Sequence, residues 1–241
     1  VSSNVNYCNY LLMNVLNRNI NNILFIFLFS HLIVWTLIPS LTNKNLPLDT
    51  IEALAWGSNL DWGFNKHPPM SAFFSEIFFL IFGSQDWAYY LLSQIFVLIA
   101  FYYVFKFANE ILENTKLSLL SVFLLVSIYF YNFTTPEFNV NVCQLPFWSL
   151  VVYFSWKIYS SKEIKFIDCF LVGLFGALGF LSKYLFVYLL VSIFLLFIFL
   201  IFFQKKKKFD FKYLITIEVF LVLLVPHFIW LYQNDFITIL Y

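Results

Sequence analysis

The chain has 241 residues, of which 62% are hydrophobic and only 11% charged, and its mean hydropathy is +0.83. This composition excludes an ordinary soluble domain. The net charge of +1 provides no overall field for nucleic acid, so no nucleic-acid partner is expected. The apolar stretches have the length of membrane-spanning helices, about 20 residues, rather than that of the shorter strands of a membrane barrel. We therefore predict an all-α integral membrane protein.

In chain order, residues 1–22 are polar and are interpreted as a cytoplasmic lead. Residues 23–241 are interpreted as a single transmembrane domain. Its apolar stretches predict about seven transmembrane helices. These cover residues 23–41, 87–107, 117–133, 140–159, 166–181, 184–203 and 213–232.

The apolar segment 70–82 is too short to be an eighth span. Its 13 residues would reach roughly 20 Å as a helix, whereas the hydrocarbon core is about 30 Å thick. If the segment does not cross, all the basic residues except Lys44, Lys66 and Lys183 fall on one side, as cytoplasmic loops require. We therefore predict an outer loop over residues 42–86 that contains interfacial helices.

A run of four lysines occupies residues 205–208. Such a run can fix the orientation of neighbouring spans or bind a particular lipid. We interpret it as a topology anchor rather than as a lipid-specific site.

The longest polar interval, residues 46–70, contains Asp49 and Glu52. Three residues apart, the two carboxylates would share one face of a helix. Asp49 could be the N-cap and Glu52 the third residue of a capping box, opening a helix over about residues 50–59. Alternatively, the carboxylates are catalytic. The spacing alone leaves both roles open.

Lys66 and His67 precede Pro68 and Pro69, which stiffen the backbone and exclude a regular helix there. A cation held rigidly at the membrane face suits the phosphate of a lipid. A lysine that extends to the interface without binding a ligand is the alternative. Lys183, in a turn between two spans, has the same two interpretations.

Glu137, Asn139 and Asn141 follow Pro136 at the predicted outer start of a span. Polar groups at a helix N-terminus cap the helix or favour anions. These residues therefore cap the span or contribute to a pocket on the same membrane face as Asp49.

Two patterns in the later spans are interpreted as structural. Gly173, Gly176 and Gly179 recur at every third position, which indicates a close-packing helix face. His227, inside an apolar span, is interpreted as a neutral, hydrogen-bonded histidine that faces a neighbouring helix. No cluster of Asp, Glu and His has convincing ligand spacing, so we predict neither a metal nor a cofactor.

An ordered set of motifs resembles a known family. The motifs are Pro47-Leu48-Asp49 with Glu52-Ala53, Trp62-Gly63-Phe64, His67-Pro68-Pro69-Met70 and Phe82-Gly83, followed by residues 139–148 and 173–184. Together they are similar to the dolichyl-phosphate-mannose protein mannosyltransferase-like family, which includes aminoarabinose transferases and has the GT-C fold. The resemblance covers roughly residues 23–241.

The resemblance implies a GT-C-like bundle that transfers a sugar from a polyprenyl-phosphate donor to a lipid, glycan or protein acceptor. The reaction would take place on the extracytoplasmic face of the inner (plasma) membrane and invert the sugar carbon. Asp49 would be the general base, and Glu52 would orient the acceptor or support Asp49. The implied substrate- and phosphate-binding residues are Lys66, His67, Asn141, Lys183 and Tyr184.

The sequence also departs from the family pattern. Many relatives have a lysine directly before the two prolines, where this chain has His67, and an aspartate where it has Asn141. The C-terminal part of the family is expected to be missing. The alternative is therefore a non-catalytic protein that binds or transports a lipid carrier, or an inactive transferase fragment.

Overall fold

A computed structural model describes the backbone of residues 2–241 and the side chains of residues 19–241. Residue 1 and the side chains of most of the predicted cytoplasmic lead lie outside the described part. Within residues 2–241 the secondary structure is entirely helical, which confirms the all-α membrane class. The α-helices are α1 (Ser2–Thr42), α2 (Leu48–Gly57), α3 (Met70–Phe82), α4 (Asp86–Leu112), α5 (Thr115–Val126), α6 (Val140–Ser160), α7 (Phe166–Ser182), α8 (Val187–Ile198), α9 (Lys212–Gln233) and α10 (Ile237–Leu240).

Six of the seven predicted spans coincide with helix, whereas the third, residues 117–133, is interrupted by a turn at residues 127–129. In the described part of the chain, four segments are long and apolar enough to cross a membrane: Asn19–Thr42, Asp86–Leu112, Tyr184–Phe203 and Lys212–Gln233. The second half of the third predicted span includes a π-helical segment, Phe130–Thr134. The other predicted spans are α6, with 21 residues, and α7, with 17.

Successive long helices run in alternating directions, so the segments between them lie at two ends of the bundle. The two ends differ chemically. At one end, Asn43 donates a hydrogen bond to the Tyr90 hydroxyl, and Lys183 donates one to Asn141. We call this the loop end; it comprises residues 43–69, 83–86, 134–141, 182–186 and 234–241. At the other end, Lys207 donates to the backbone carbonyl of Ser161. We call this the basic end; it comprises residues 106–116, 157–165 and 204–212.

Helix α3 begins and ends at the loop end. Its start follows His67 and Pro68, which border a pocket shared with Lys183, and its end is fixed by a bond from the Tyr89 hydroxyl to the Gly83 carbonyl. Between these points the Phe74 ring packs against Phe96. The helix therefore packs against the bundle without reaching the basic end, as expected for a segment that does not cross the membrane.

The glycines of α7 permit close packing, which confirms the prediction from their spacing. A β-carbon at Gly173 would lie 2.6 Å from the Thr216 carbonyl oxygen of α9, and one at Gly179 would lie 2.4 Å from the Phe186 ring. Both distances are too short for any side chain. Gly176 differs, because its nearest neighbour is the flexible end of Leu190 at 3.3 Å.

This difference predicts unequal effects of alanine at two positions of one helix. Gly173→Ala places a methyl group against backbone, so it should lower the free energy of unfolding by about 1–3 kcal/mol. Gly176→Ala, the matched control, should change it little because Leu190 can move. Titration of both variants with SDS in mixed micelles measures the difference. Equal stability of the two variants would contradict the packing described here.

Candidate active site

The loop end brings one acidic and one basic group of side chains to opposite sides of the first turn of α6. Asn139 is the N-cap of this helix, since its Oδ1 accepts from the backbone N–H groups of Asn141 (3.0 Å) and Val142 (3.2 Å). The capping interpretation of Asn139 is therefore confirmed. The amide nitrogen of the same side chain points the other way and is 3.4 Å from Asp49 Oδ2.

Asp49 is held against α6 from two directions. Its backbone N–H donates to Glu137 Oε1 at 3.2 Å, and its carboxylate accepts from Asn139. The neighbouring Thr50 hydroxyl donates to the Phe138 carbonyl at 3.1 Å. Asp49 is otherwise exposed. An anchored backbone with an accessible carboxylate is the arrangement that a general base at a membrane face requires.

The capping-box prediction for Asp49 and Glu52 is wrong. Helix α2 begins at Leu48, its N-cap is Pro47, and no side chain caps it. Asp49 therefore lies in the first helical turn, where a carboxylate is favoured by the helix dipole but does not close the helix end. The Asp49 N–H, which Glu52 would accept in a capping box, donates instead to Glu137 of the segment before α6.

Glu52 is directed away from Asp49 and toward the loop. Its Oε1 is 2.5 Å from Lys66 Nζ, in an ion pair that is partly exposed. The bond to Glu52 raises the pKa of Lys66 above its usual value. The pair connects α2 to the segment before the two prolines, and it neutralises the Lys66 charge.

His67 lies beside Lys66 but faces the interior of the site. Its ring packs edge-on against Trp56, which stacks on Phe64 with ring centroids 5.2 Å apart. Burial lowers the pKa of His67, and the charge of Glu52 opposes this effect only in part. The imidazole is therefore neutral at neutral pH, when it can donate or accept a hydrogen bond but carries no charge.

Lys183 is the other cation, and its environment differs from that of Lys66. Its Nζ is 2.5 Å from the neutral Asn141 Oδ1, and no carboxylate among the described side chains lies within 4.0 Å of it. The residue is half-buried, and desolvation lowers its pKa. A cation that is partly removed from water without a counter-charge is a favourable position for an anionic ligand.

Two cavities meet at Lys183. A pocket of about 340 Å³ is bordered by Lys66, His67, Lys183 and Tyr184, and the rest of its lining is mostly apolar. A larger groove of about 630 Å³ runs from Asn141 and Lys183 between α4, α6 and α8, and most of its lining is apolar as well. The site thus combines a small chamber bordered by two lysines and a histidine with an adjoining apolar groove.

Tyr184 is oriented by His227. The His227 Nδ1 is 2.5 Å from the Trp62 carbonyl oxygen, and its Nε2 is 2.8 Å from the Tyr184 hydroxyl. Because a carbonyl only accepts, Nδ1 carries the proton, and the tyrosine hydroxyl donates to Nε2. The prediction of a hydrogen-bonded histidine is confirmed, but its partners, one of them in the distant outer loop, were not predicted.

The structure therefore groups the predicted site residues in three sets. Asp49 lies with Glu137 and Asn139, Glu52 with Lys66, and His67 with Lys183, Asn141 and Tyr184. Sequence reasoning left Glu137 as either a capping or a pocket residue and did not predict its contact with Asp49. Burial raises the pKa of Glu137, and the hydrogen bond from the Asp49 N–H opposes this effect only in part. Among residues 19–241, no three His, Cys, Asp or Glu side chains are grouped to hold a metal ion.

The fold and the position of the polar groups define a multi-pass membrane protein with a cluster of polar side chains at one end of its bundle. The family model described as dolichyl-phosphate-mannose-protein mannosyltransferase matches residues 66–230. The match covers more than half of the chain, which belongs to this family of membrane glycosyltransferases. It includes Lys66, His67, Asn141, Lys183 and Tyr184 but begins after Asp49 and Glu52. Neither the curated proteins nor the solved structures contain a match to the chain.

The lowered pKa of His67 predicts a pH-dependent stability. The folded state holds the imidazole neutral, whereas the unfolded chain takes up a proton below the ordinary pKa of 6.5. Folding should therefore weaken as the pH falls through about 6.5 and be unaffected by this residue at higher pH. In His67→Gln the loss of stability between about pH 7.5 and 5.5 should be smaller, as measured by SDS titration at each pH. Superimposable pH profiles would show that His67 is not desolvated.

Proposed function

We propose that the chain transfers a sugar from a polyprenyl-phosphate donor to an acceptor hydroxyl at the loop end. The observation that carries this proposal is Lys183, a partly desolvated cation without a carboxylate partner among residues 19–241. It lies where the chamber that Lys66 and His67 border joins an apolar groove. A prenyl phosphate has the matching chemistry, since its phosphate would meet the ammonium group while its chain extends along the groove between α4, α6 and α8.

The pocket supplies further polar contacts for the donor. The Tyr184 hydroxyl donates its hydrogen bond to His227, so its oxygen can still accept one. Neutral His67 and Lys66 border the same chamber. These groups suit the sugar and the second side of the phosphate. Lys183 would stabilise the charge that develops as the phosphate leaves.

In the proposed reaction Asp49 takes the proton of the acceptor hydroxyl. The acceptor oxygen then bonds to the anomeric carbon from the face opposite the phosphate. The bond from that carbon to the phosphate oxygen breaks, and its electron pair leaves with the lipid phosphate. The sugar carbon is inverted. Glu137 and Asn139 position Asp49, while Glu52 positions Lys66 rather than the base.

The orientation in the membrane follows from the charges. The basic end carries most of the lysines, so we place it in the cytoplasm and the loop end outside. The protein would then act on the outer face of the inner (plasma) membrane. Among members of the family, we propose an aminoarabinose-transferase-like enzyme that acts on a cell-envelope glycan, lipid or protein.

Asp49→Asn tests the general base. The amide keeps the shape of the side chain but cannot take a proton, so sugar transfer should fall by about 10²- to 10⁴-fold. The assay follows loss of labelled sugar from polyprenyl-phosphate aminoarabinose, and in parallel from polyprenyl-phosphate mannose, in membranes containing the protein. Asp61→Asn, an exposed carboxylate in the same loop, is the matched control and should keep full activity. Full activity of Asp49→Asn would reject the assigned base.

Lys183→Gln tests the phosphate site. Removal of the cation should lower turnover by about 10²- to 10³-fold, as for other groups that stabilise a developing anion. It should also weaken retention of the unreacted donor, which Asp49→Asn should leave unchanged. Lys44→Gln, at the same end of the bundle, serves as the control. Donor retention by both Asp49→Asn and Asp61→Asn, without transfer by the wild type, would indicate a carrier-binding protein instead of an enzyme.

A further inference from the structure

The basic end contains a second feature, which the proposed transfer reaction does not use. Two of its loops carry seven lysines at positions 162, 165, 205–208 and 212, against Glu163 and Asp210. Lys207 Nζ donates to the Ser161 carbonyl at 2.7 Å, and Lys212 Nζ donates to the Ile164 carbonyl at 2.9 Å. These bonds join the two loops, so their lysines form a single positively charged patch.

Three of these lysines have no partner within the described side chains. Lys205, Lys206 and Lys208 are exposed, and their ammonium groups make no hydrogen bond or ion pair with residues 19–241. Like charges this close repel one another, and an anion relieves the repulsion. A role as topology anchor explains why the lysine run lies at this end of the bundle. It does not explain the cavity beside the run.

Beneath the patch is an apolar cavity of about 420 Å³ between α6, α7, α8 and α9. Phe209, which directly follows the lysine run, lines it at the basic end, and Leu190 lines it on the opposite side. Along α8 the lining residues extend from Leu190 to Phe202, about 18 Å at helical rise. One leaflet is about half of the 30 Å hydrocarbon core, so the cavity has the depth of a single leaflet.

Two buried hydroxyl groups in the cavity lack hydrogen-bond partners among the described residues. They are Ser155 Oγ and Tyr213 Oη, and both residues line the cavity. Tyr213 is in the first turn of α9, and Ser155 is in the last two turns of α6, so both lie close to the basic end. Unpaired hydroxyls in an apolar cavity are costly, and an acceptor in the cavity would satisfy them.

We propose that this cavity binds one anionic phospholipid of the surrounding membrane. Its headgroup meets Lys205, Lys206 and Lys208, its ester carbonyls accept from Tyr213 and Ser155, and one acyl chain fills the apolar cavity. A zwitterionic lipid would fill the cavity but would bring no net charge to the lysines. The site is at the opposite end of the bundle from Lys183 and does not depend on the transfer reaction.

Native mass spectrometry of the whole chain tests the proposal, after reconstitution in nanodiscs of phosphatidylcholine with phosphatidylglycerol. The wild type should retain one phosphatidylglycerol in preference to phosphatidylcholine. Lys205→Gln with Lys206→Gln should lower this retention by about 30-fold at low salt. The matched double variant Lys106→Gln with Lys116→Gln removes the same charge from the same end but outside the patch, so it should behave as the wild type.

Two further variants test the cavity itself. Ile193→Trp fills the space and should exclude both lipids, whereas Tyr213→Phe with Ser155→Ala preserves the shape but removes the hydroxyls and should weaken retention. Unfolding curves identify any variant that is misfolded. If one cavity variant is misfolded, the other still tests whether the cavity holds the lipid. Equal retention of the two lipids by the wild type would overturn the proposal. So would equal losses in the two lysine pairs.

Discussion

The first turn of α6 is the element on which the loop end depends. A helix N-terminus leaves backbone N–H groups unpaired, and at the edge of a membrane these groups need a local acceptor. Asn139 provides it, and the geometry of that cap turns its amide nitrogen toward Asp49. Two residues later Asn141 holds Lys183 on the other side of the same turn. One backbone requirement thus sets the relative positions of the carboxylate and the cation.

Desolvation and pairing give Lys66 and Lys183 different roles. Lys66 is partly exposed and paired with Glu52, so its charge is already compensated. Such a pair adds little stability, but it connects the segment before the prolines to α2. Lys183 has a neutral oxygen as its partner and is half-buried. The charge of Lys183 is less compensated than that of Lys66, so a bound phosphate would stabilise Lys183 more.

The sequence predicted the helical architecture well because each span corresponds to a continuous apolar stretch. The unequal distribution of lysines between the two sides of the membrane predicted that segment 70–82 does not cross it. If the segment crossed, every later loop would change sides, so the charges of all these loops bear on the prediction. The start of α2 was misplaced because two carboxylates three residues apart are compatible with several helix registers. Its actual start depends on Glu137, which lies 88 residues further along the chain. Contacts of this kind leave no local pattern.

The same reasoning explains why the partners of the predicted site residues were not foreseen. Trp62 and His227 meet across 165 residues, and Lys183 meets Asn141 across 42. Trp62 takes part through its backbone carbonyl, which every residue has, and Asn141 is an ordinary polar residue in the first turn of a helix. The chemistry of each residue was predictable from its type and its membrane face, whereas its pairing depends on how α6, α7 and α9 pack.

The position of lysine before the two prolines has a structural meaning in this chain. Many relatives have the lysine where His67 stands, and here it is one residue earlier. In a segment that is not helical, neighbouring side chains point in different directions. The shift directs Lys66 to Glu52 of α2 and leaves the neutral His67 ring facing the chamber. The charge of Lys66 is compensated by Glu52, so the proposed phosphate site depends mainly on Lys183.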